Sequence, residues 1–359
     1  MHYAKQGFLK MSKKILMLDA ISRGVPLGSQ YMKAFEENHA NVIYVDLNDI
    51  KKRRFYKLKR FAHKHIINRP KKHEYFRYPK IEDRFIEKLI QQHRPTTILI
   101  MGFVFSYIEH GLLKSLQQKY QFEIVLLDSD SANFTRKLPK FYQFIKRDVE
   151  QADTVITFAK RMAHYFQGLY PEKNVHFFPF GYDPIAKKTE KKEFDLFFIG
   201  FPDIRRMMHF EYLKDFDIKI YGKPWDNYMK FLSEPLRRKI TTHNLWGDEL
   251  YNVMHRAKIV LSINQGSWHN LDTGINSRVF EALASQCFLI ADHYQEIEEL
   301  FVVGEEIETF KSIEELIDKI NFYLKHDEAR EKIAKKGYEK IINQFTYQQR
   351  AKEFIKLLK

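Results

Sequence analysis

Residues 276–292 read NSRVFEALASQCFLIAD. This stretch is a helix that runs into a short apolar strand, one turn of a repeating α/β unit. Arg278 and Glu281 fall in the first turns of the helix. Free N–H groups at a helix N-terminus and a guanidinium both favour an anion, so an arginine there suits a diphosphate. A carboxylate one turn further on can accept two hydroxyl hydrogen bonds from a ribose.

The same alternation continues outward from this segment. Upstream, AKIVLSIN (257–264), DIKIYG (217–222) and FDLFFIG (194–200) are strands, with helices expected at about 203–214 and 248–257. Downstream come a strand, EIETF (306–310), and helices to about 325, over 327–343 and over 346–358. Ser312 and Glu315 make a capping box for the first of these. The first half of the chain shows KKILMLDA (13–20), NVIYVDL (41–47), TTILIMG (96–102), FEIVLLD (122–128), TVITF (154–158) and NVHFFPF (174–180) as strands between helical patterns. Short apolar strands separated by helices predict parallel sheets. The fold class is therefore α/β. Residues 1–180 and 194–359 form two Rossmann-like domains, joined by a charged, apolar-poor linker over 181–193. In such sheets ligands sit beyond the carboxyl ends of the strands. No G-x-G-x-x-G follows the first strand, so a dinucleotide site of the NAD type is not supported.

Several polar residues fall at those carboxyl ends. Gly200 lets backbone approach a phosphate, and Arg205 or Arg206 in the next helix is placed to pair with it. Tyr221 offers a ring for a nucleobase, or for the core. Asn264 opens a long polar loop, QGSWHNLDTGI (265–275), of a length that is more often functional than not. In the first domain Asp19 ends one strand and Asp128 and Asp130 follow another. Asp19 and Asp130 are candidates for a general base on an acceptor hydroxyl. Helix capping or solvation is the alternative at each. Asp128-Ser129-Asp130 spells a D-x-D, a pattern that elsewhere binds divalent metals, but the two-domain pattern argues against that use here. No His/Cys cluster has zinc spacing.

Charge is concentrated rather than spread. The chain carries +14 overall, and residues 51–80 hold 13 Lys or Arg against one acid, Glu74. Phe55, Tyr56, Phe61, Tyr75, Phe76 and Tyr78 interleave with them. That mixture suits an anionic membrane surface, at about 1 kcal/mol per basic residue. It also suits a nucleic-acid backbone with stacked bases, the less favoured partner here, and a plain solvated loop would look similar. The single cysteine, Cys287, cannot form an intrachain disulfide, so a reducing compartment, the cytoplasm, is expected. No apolar run approaches the ~20 residues that span a bilayer. MHYAKQGFLK has no signal-peptide core, and Met11 opens a more typical start than Met1.

Residues 194–358 resemble the C-terminal domain of the CgeB-like (spore-protein type) glycosyltransferases, related to glycosyltransferase family 4. The carrying motifs are FFIG (197–200), IYGKPW (220–225), AKIVLSIN (257–264), SRVFEALASQCFLIAD (277–292), EELFVVGEEIETFKSIEEL (298–316) and FTYQQRAKEF near the end. The first 180 residues resemble the family in their βα pattern and in the opening LDAISRGVPLGSQYMKAFEE. The resemblance implies a GT-B fold, two Rossmann-like domains facing across a cleft, with C-terminal helices packing back towards the N-terminal domain. It implies a nucleotide-sugar donor and no obligatory metal or other cofactor. Glu281 matches the second glutamate of the family's E-x7-E motif, the one that binds donor ribose. Arg278 is then the pyrophosphate contact, supported by the amides near Asn276 and Ser277. The position of the first glutamate is occupied by Thr273, beside Asp272.

The expected function is transfer of a sugar to an envelope glycan or lipid-linked acceptor at the inner membrane face. Arg278 and one of Arg205 or Arg206 would stabilise the departing diphosphate. Sugar transfer to modified DNA bases, and non-catalytic binding of a sugar nucleotide, are the alternatives.

Overall fold

In the computed structural model, which describes residues 13–21, 26–70, 76–129, 138–189 and 191–358, the apolar run after Lys13 becomes a buried central strand. That strand, β1 (Lys14–Ala20), is followed by β2 (Asn41–Asp46), β3 (Thr97–Gly102), β4 (Glu123–Asp128), β5 (Thr154–Thr157) and β6 (Asn174–Phe177). They form one sheet in the order β2-β1-β3-β4-β5-β6. β1, β3 and β4 are buried almost throughout because helices cover both faces, which is why they read as unbroken apolar runs. β1 pairs in parallel with β2 on one side and β3 on the other, with Asp19 opposite Asp46 and Met101. The chain changes direction across the sheet there, so the crevice between the carboxyl ends of β1 and β3 is the switch point.

The second half repeats the construction. β7 (Phe194–Ile199), β8 (Ile218–Tyr221), β9 (Ile240–Thr241), β10 (Ala257–Ser262), β11 (Leu289–Asp292) and β12 (Glu308–Phe310) order as β12-β11-β10-β7-β8-β9, every pair parallel. The switch point lies between β7 and β10, at Gly200 and Asn264. Phe198, Phe210, Trp225, Ile259 and Ile290 pack the core beneath it. The capping box at Ser312 forms with a shift: the Ser312 hydroxyl accepts from Glu315 N at 3.2 Å, while Glu315 accepts from Lys311 N at 2.8 Å.

By contacts the chain groups into two units, Met1–Thr157 with Tyr165–His176 and Ala351–Lys359, and Phe158–His164 with Phe177–Arg350. The end of the last helix, Tyr347–Leu357, thus belongs with the first unit. Phe354 packs edge-on to Phe35 at 5.3 Å and against Tyr31 at 6.0 Å, and Lys13 Nζ donates to Ile355 O at 3.1 Å. In the charged stretch, residues 181–189 and 191–193 lie as a strap on the second unit. Tyr182 N donates to Phe345 O, Ile185 N to Ala284 O and Glu193 N to Arg256 O, all within 2.9 Å. Lys188 N donates to Nδ1 of buried His255 at 3.0 Å, so the other ring nitrogen carries the proton and meets Ser285 O. Burial lowers the pKa of this histidine and keeps it neutral.

The basic segment is not a featureless loop. Tyr56–Ala62 is an α-helix that runs directly into a π-helical turn, His63–Ile67, and neither has a buried residue. Among the described residues no helix is long and apolar enough to cross a membrane.

Candidate functional site

Asp203 ties together the two loops of the second switch point. It caps the helix Ile204–Tyr212 by accepting from Arg206 N at 2.9 Å, and its other oxygen accepts from Gly266 N at 2.6 Å. Gly200 sits where three segments crowd. Its carbonyl accepts from the Trp225 indole at 2.9 Å, and a Cβ on Gly222, whose φ is +140°, would lie 2.3 Å from it. Glycine at 222 is therefore a requirement of close approach.

Beside this loop a buried polar cluster is built on Asp292, which ends β11 and is 2% exposed. Its carboxylate takes both ends of the Arg205 guanidinium, at 2.8 and 2.5 Å, and accepts from Asn264 N at 2.6 Å. The Asn264 amide donates to Gly274 O at 3.0 Å and accepts from Asn276 Nδ2 at 2.5 Å. Asn276 in turn caps the helix Ser277–Ala284 by accepting from Arg278 N at 2.9 Å. One network thus runs from the end of β11 to the N-terminus of the helix that opened the sequence argument. Ser277 stands exposed at its first position.

From that N-terminus Arg278 reaches Glu281, its ion-pair partner on the same helix. Glu281 also accepts from the Tyr182 hydroxyl at 2.5 Å, and the Tyr251 hydroxyl lies 3.0 Å from that of Tyr182. Burial pushes the Arg278 guanidinium down to about 10 and raises the Tyr182 phenol. Both tyrosines were invisible to sequence reasoning. They lie on the strap and on the helix Gly247–His255, far along the chain from Glu281.

Arg205 and Arg206, one of which was expected at a phosphate, are both held by groups of the protein itself. Arg206 is a structural group: Nε donates to Ile263 O at 2.8 Å and Nη1 to Phe201 O at 2.7 Å, with the guanidinium over the Phe198 ring. Burial lowers it to about 10. Arg205 is neutralised by its bidentate partner. Arg278 differs from both in that its carboxylate partner, Glu281, lies on its own helix. Tyr221 is half-buried with its ring 5.9 Å from that of Phe197, on the far side of Gly200 from Arg278 in strand order.

Asp19, in the other unit, is also corrected as a candidate base. One oxygen accepts from Ile21 N and the other from the Tyr44 hydroxyl, both at 2.8 Å, and a Cβ on Gly28 would strike the carboxylate. Burial raises its pKa. The carboxylate is walled in rather than presented. Asp130 lies outside the described residues. Asp128 is buried and accepts from the Thr157 hydroxyl at 2.8 Å.

A carboxylate does stand at Thr273, but another element supplies it. Glu296, buried at the start of the helix Gln295–Leu300, accepts from the Thr273 hydroxyl, from Gly274 N at 3.0 Å and from Lys160 N at 2.8 Å. It fastens the loop after β10 to the segment Phe158–His164. Replacing Glu296 by alanine is expected to leave these donors unpaired at a cost of about 1–3 kcal/mol. Urea unfolding and faster amide exchange at Gly274 and Lys160 would show it; exchange unchanged at both would mean that Glu296 holds nothing in place.

Residues 205–356 match the family model described as “Glycosyl transferase-like”. The chain is a glycosyltransferase with the GT-B fold. This glycosyltransferase is 25% identical over 230 residues to spore protein CgeB of Bacillus subtilis (strain 168), covering 58% of this chain and 68% of that one. Among solved structures it is similar to HepE of Anabaena, crystallised with UDP and glucose, at a TM-score of 0.65 and 11% identity over 96% of this chain and 98% of that one. It is also similar to TarM of S. aureus, at a TM-score of 0.57 and 14% identity, over 77% of this chain but spanning only 57% of TarM. At these identities the solved structures speak for the fold.

Proposed function

We propose that this glycosyltransferase moves a sugar from a nucleoside-diphosphate donor to an envelope glycan or lipid-linked acceptor, working in the cytoplasm against the inner membrane face. The observation that carries the reading is the Asn276-capped helix N-terminus with exposed Ser277, Arg278 and Glu281 on one turn beyond β10. The donor diphosphate meets the Ser277 amide and Arg278, and the ribose hydroxyls meet Glu281. In the structure Arg278 and Tyr182 both donate to the Glu281 carboxylate. Donor binding exchanges those partners for phosphate and hydroxyl groups, so the carboxylate stays satisfied. As the leaving diphosphate gains charge, Arg278 stabilises it electrostatically. The reading needs no metal, and full activity in excess chelator is its consequence. Its test is donor affinity in Arg278→Ala, developed in the Discussion.

The membrane is favoured over nucleic acid by side-chain type. Phe55, Leu58, Phe61, Ile66 and Ile67 are between 58% and 67% exposed, among eight Lys or Arg over residues 51–64. Aliphatic Leu58, Ile66 and Ile67 cannot stack on bases, but they insert at a headgroup boundary. Replacing Phe61, Ile66 and Ile67 together with serine is expected to weaken binding to phosphatidylglycerol vesicles at least about tenfold, since each loses part of a ~1.5–3 kcal/mol burial term. Flotation at fixed salt measures it. Undiminished flotation, or tight salt-steep binding to duplex DNA without vesicle binding, would overturn the membrane assignment.

A further inference from the structure

Two phenols meet beside Glu281, and both come from outside its helix. Tyr182 stands on the strap and Tyr251 on the helix Gly247–His255. The Tyr182 hydroxyl donates to Glu281 Oε1 at 2.5 Å and lies 3.0 Å from the Tyr251 hydroxyl. Arg278 takes the other carboxylate oxygen, Oε2. With its own proton on Glu281, Tyr182 accepts the proton of Tyr251. Among the described residues the Tyr182 hydroxyl has no third partner.

The backbone around Tyr182 is fastened on both sides. Tyr182 N donates to Phe345 O at 2.8 Å, Asp183 accepts from Tyr347 N at 3.1 Å, and Ile185 N donates to Ala284 O at 2.9 Å. The Tyr347 ring lies 6.1 Å from that of Tyr182. The easiest motion left to the phenol is rotation of its O–H about the C–O bond. Burial, then the Tyr251 hydroxyl, raises the Tyr182 pKa, so the group stays a protonated donor. That proton has two acceptors within reach, the Glu281 carboxylate and the Tyr251 oxygen. Glu281 is 8% exposed, so few of its acceptor directions open outward. A ribose hydroxyl that takes Oε1 therefore competes with Tyr182 for it. A phenol proton left there without an acceptor would oppose the ribose. Tyr251, half-buried, supplies the alternative acceptor and can turn its own O–H outward.

We propose that Tyr182 and Tyr251 are positioning residues for the donor ribose: Tyr182 holds Glu281 until the ribose arrives and then turns its O–H to the Tyr251 oxygen. The pair thereby sets how strongly the site prefers ribose over a sugar lacking the 2′ and 3′ hydroxyls. The inference rests on the assignment of Glu281 to the donor ribose. No covalent bond changes and neither phenol loses its proton; only hydrogen bonds change partners.

Calorimetric titration of the full chain with UDP, GDP, ADP and CDP, and then with the 2′,3′-dideoxy form of the tightest binder, tests it. Tyr251→Phe removes the second acceptor. It should weaken the ribonucleotide about three- to tenfold, the usual effect of one hydrogen bond, and leave the dideoxy form bound as in the parent. Both ligands meet the same variant, so a loss of folding cannot imitate that difference. Tyr182→Phe removes the competitor, so the ribonucleotide should bind at least as tightly as in the parent. Adding Tyr251→Phe to that variant should then change nothing. Equal weakening of both ligands by Tyr251→Phe, an unchanged ribonucleotide affinity, or the same loss in the Tyr182→Phe background would overturn the proposal. The donor reading fails in a different way: if Glu281 does not meet the ribose, the dideoxy form binds the parent as tightly as the ribonucleotide. No binding of any nucleotide removes both.

Discussion

Arg278→Ala is expected to lower turnover by about 10²–10³, the usual loss when one preorganised stabiliser of a developing charge is removed. Donor affinity should fall as well, since a charge-assisted contact to the diphosphate disappears. The fold should survive, because Glu281 keeps the Tyr182 hydroxyl as a donor and the helix keeps its Asn276 cap. Lysine at 278 should recover only part of the loss, having the charge but not the planar fork. Calorimetric titration with a panel of nucleoside diphosphates, alongside turnover, separates the terms. A variant that binds and turns over like the parent would remove the diphosphate from this helix. A variant that merely unfolds would show in its melting curve, and Ser277→Pro, which deletes the first N–H where proline is well tolerated, then asks the same question of the helix end.

Asp292→Ala should destabilise the second unit strongly, by about 3–5 kcal/mol. It leaves the Arg205 guanidinium, 16% exposed in its side chain, without the carboxylate that holds both its ends. It also orphans the Asn264 N–H. For a unit of this size each kcal/mol shifts the melting point by about 2–4 °C, so a fall of roughly 10 °C is expected. The double replacement Arg205→Met with Asp292→Leu should recover much of that loss, because an apolar pair can replace a buried ion pair at little cost. A double variant no more stable than Asp292→Ala would mean that the pair is not the source of the effect. In either variant the capped helix at Ser277 loses its connection through Asn264, so donor binding should weaken even where folding is restored.

Much of this architecture was legible in local pattern. KILMLDA, TILIMG and EIVLLD could only be strands covered on both faces, and the alternation with helices required parallel sheets. The helix at Ser277–Ala284 was readable together with its two polar residues. The basic segment was readable as charge with aromatics, but not as a helix, because its side chains bury nothing that would mark a face. The segment 181–193 looked like a linker for the same reason. Its lysines give it the composition of a solvated loop, yet Lys188 pairs with Asp248, Lys192 donates to His255 O, and its backbone hydrogen bonds, which leave no trace in composition, fasten it to the second unit.

The site divides along the same line. The chemical type at each position, and the neighbours within one helix turn, were determined by the sequence alone: Arg278 beside Glu281, Asn276 before them, glycine after β7. Which charge each group meets was decided by tertiary structure. Arg205 and Arg206 are adjacent in sequence, yet one is held by Asp292 from β11 and the other by the carbonyls of Phe201 and Ile263. The carboxylate at Thr273 comes from Glu296, and the partners of Glu281 come from Tyr182 and Tyr251. A buried charge must find a partner wherever the fold brings one, and in a parallel sheet the groups that meet at the strand ends come from segments scattered along the chain.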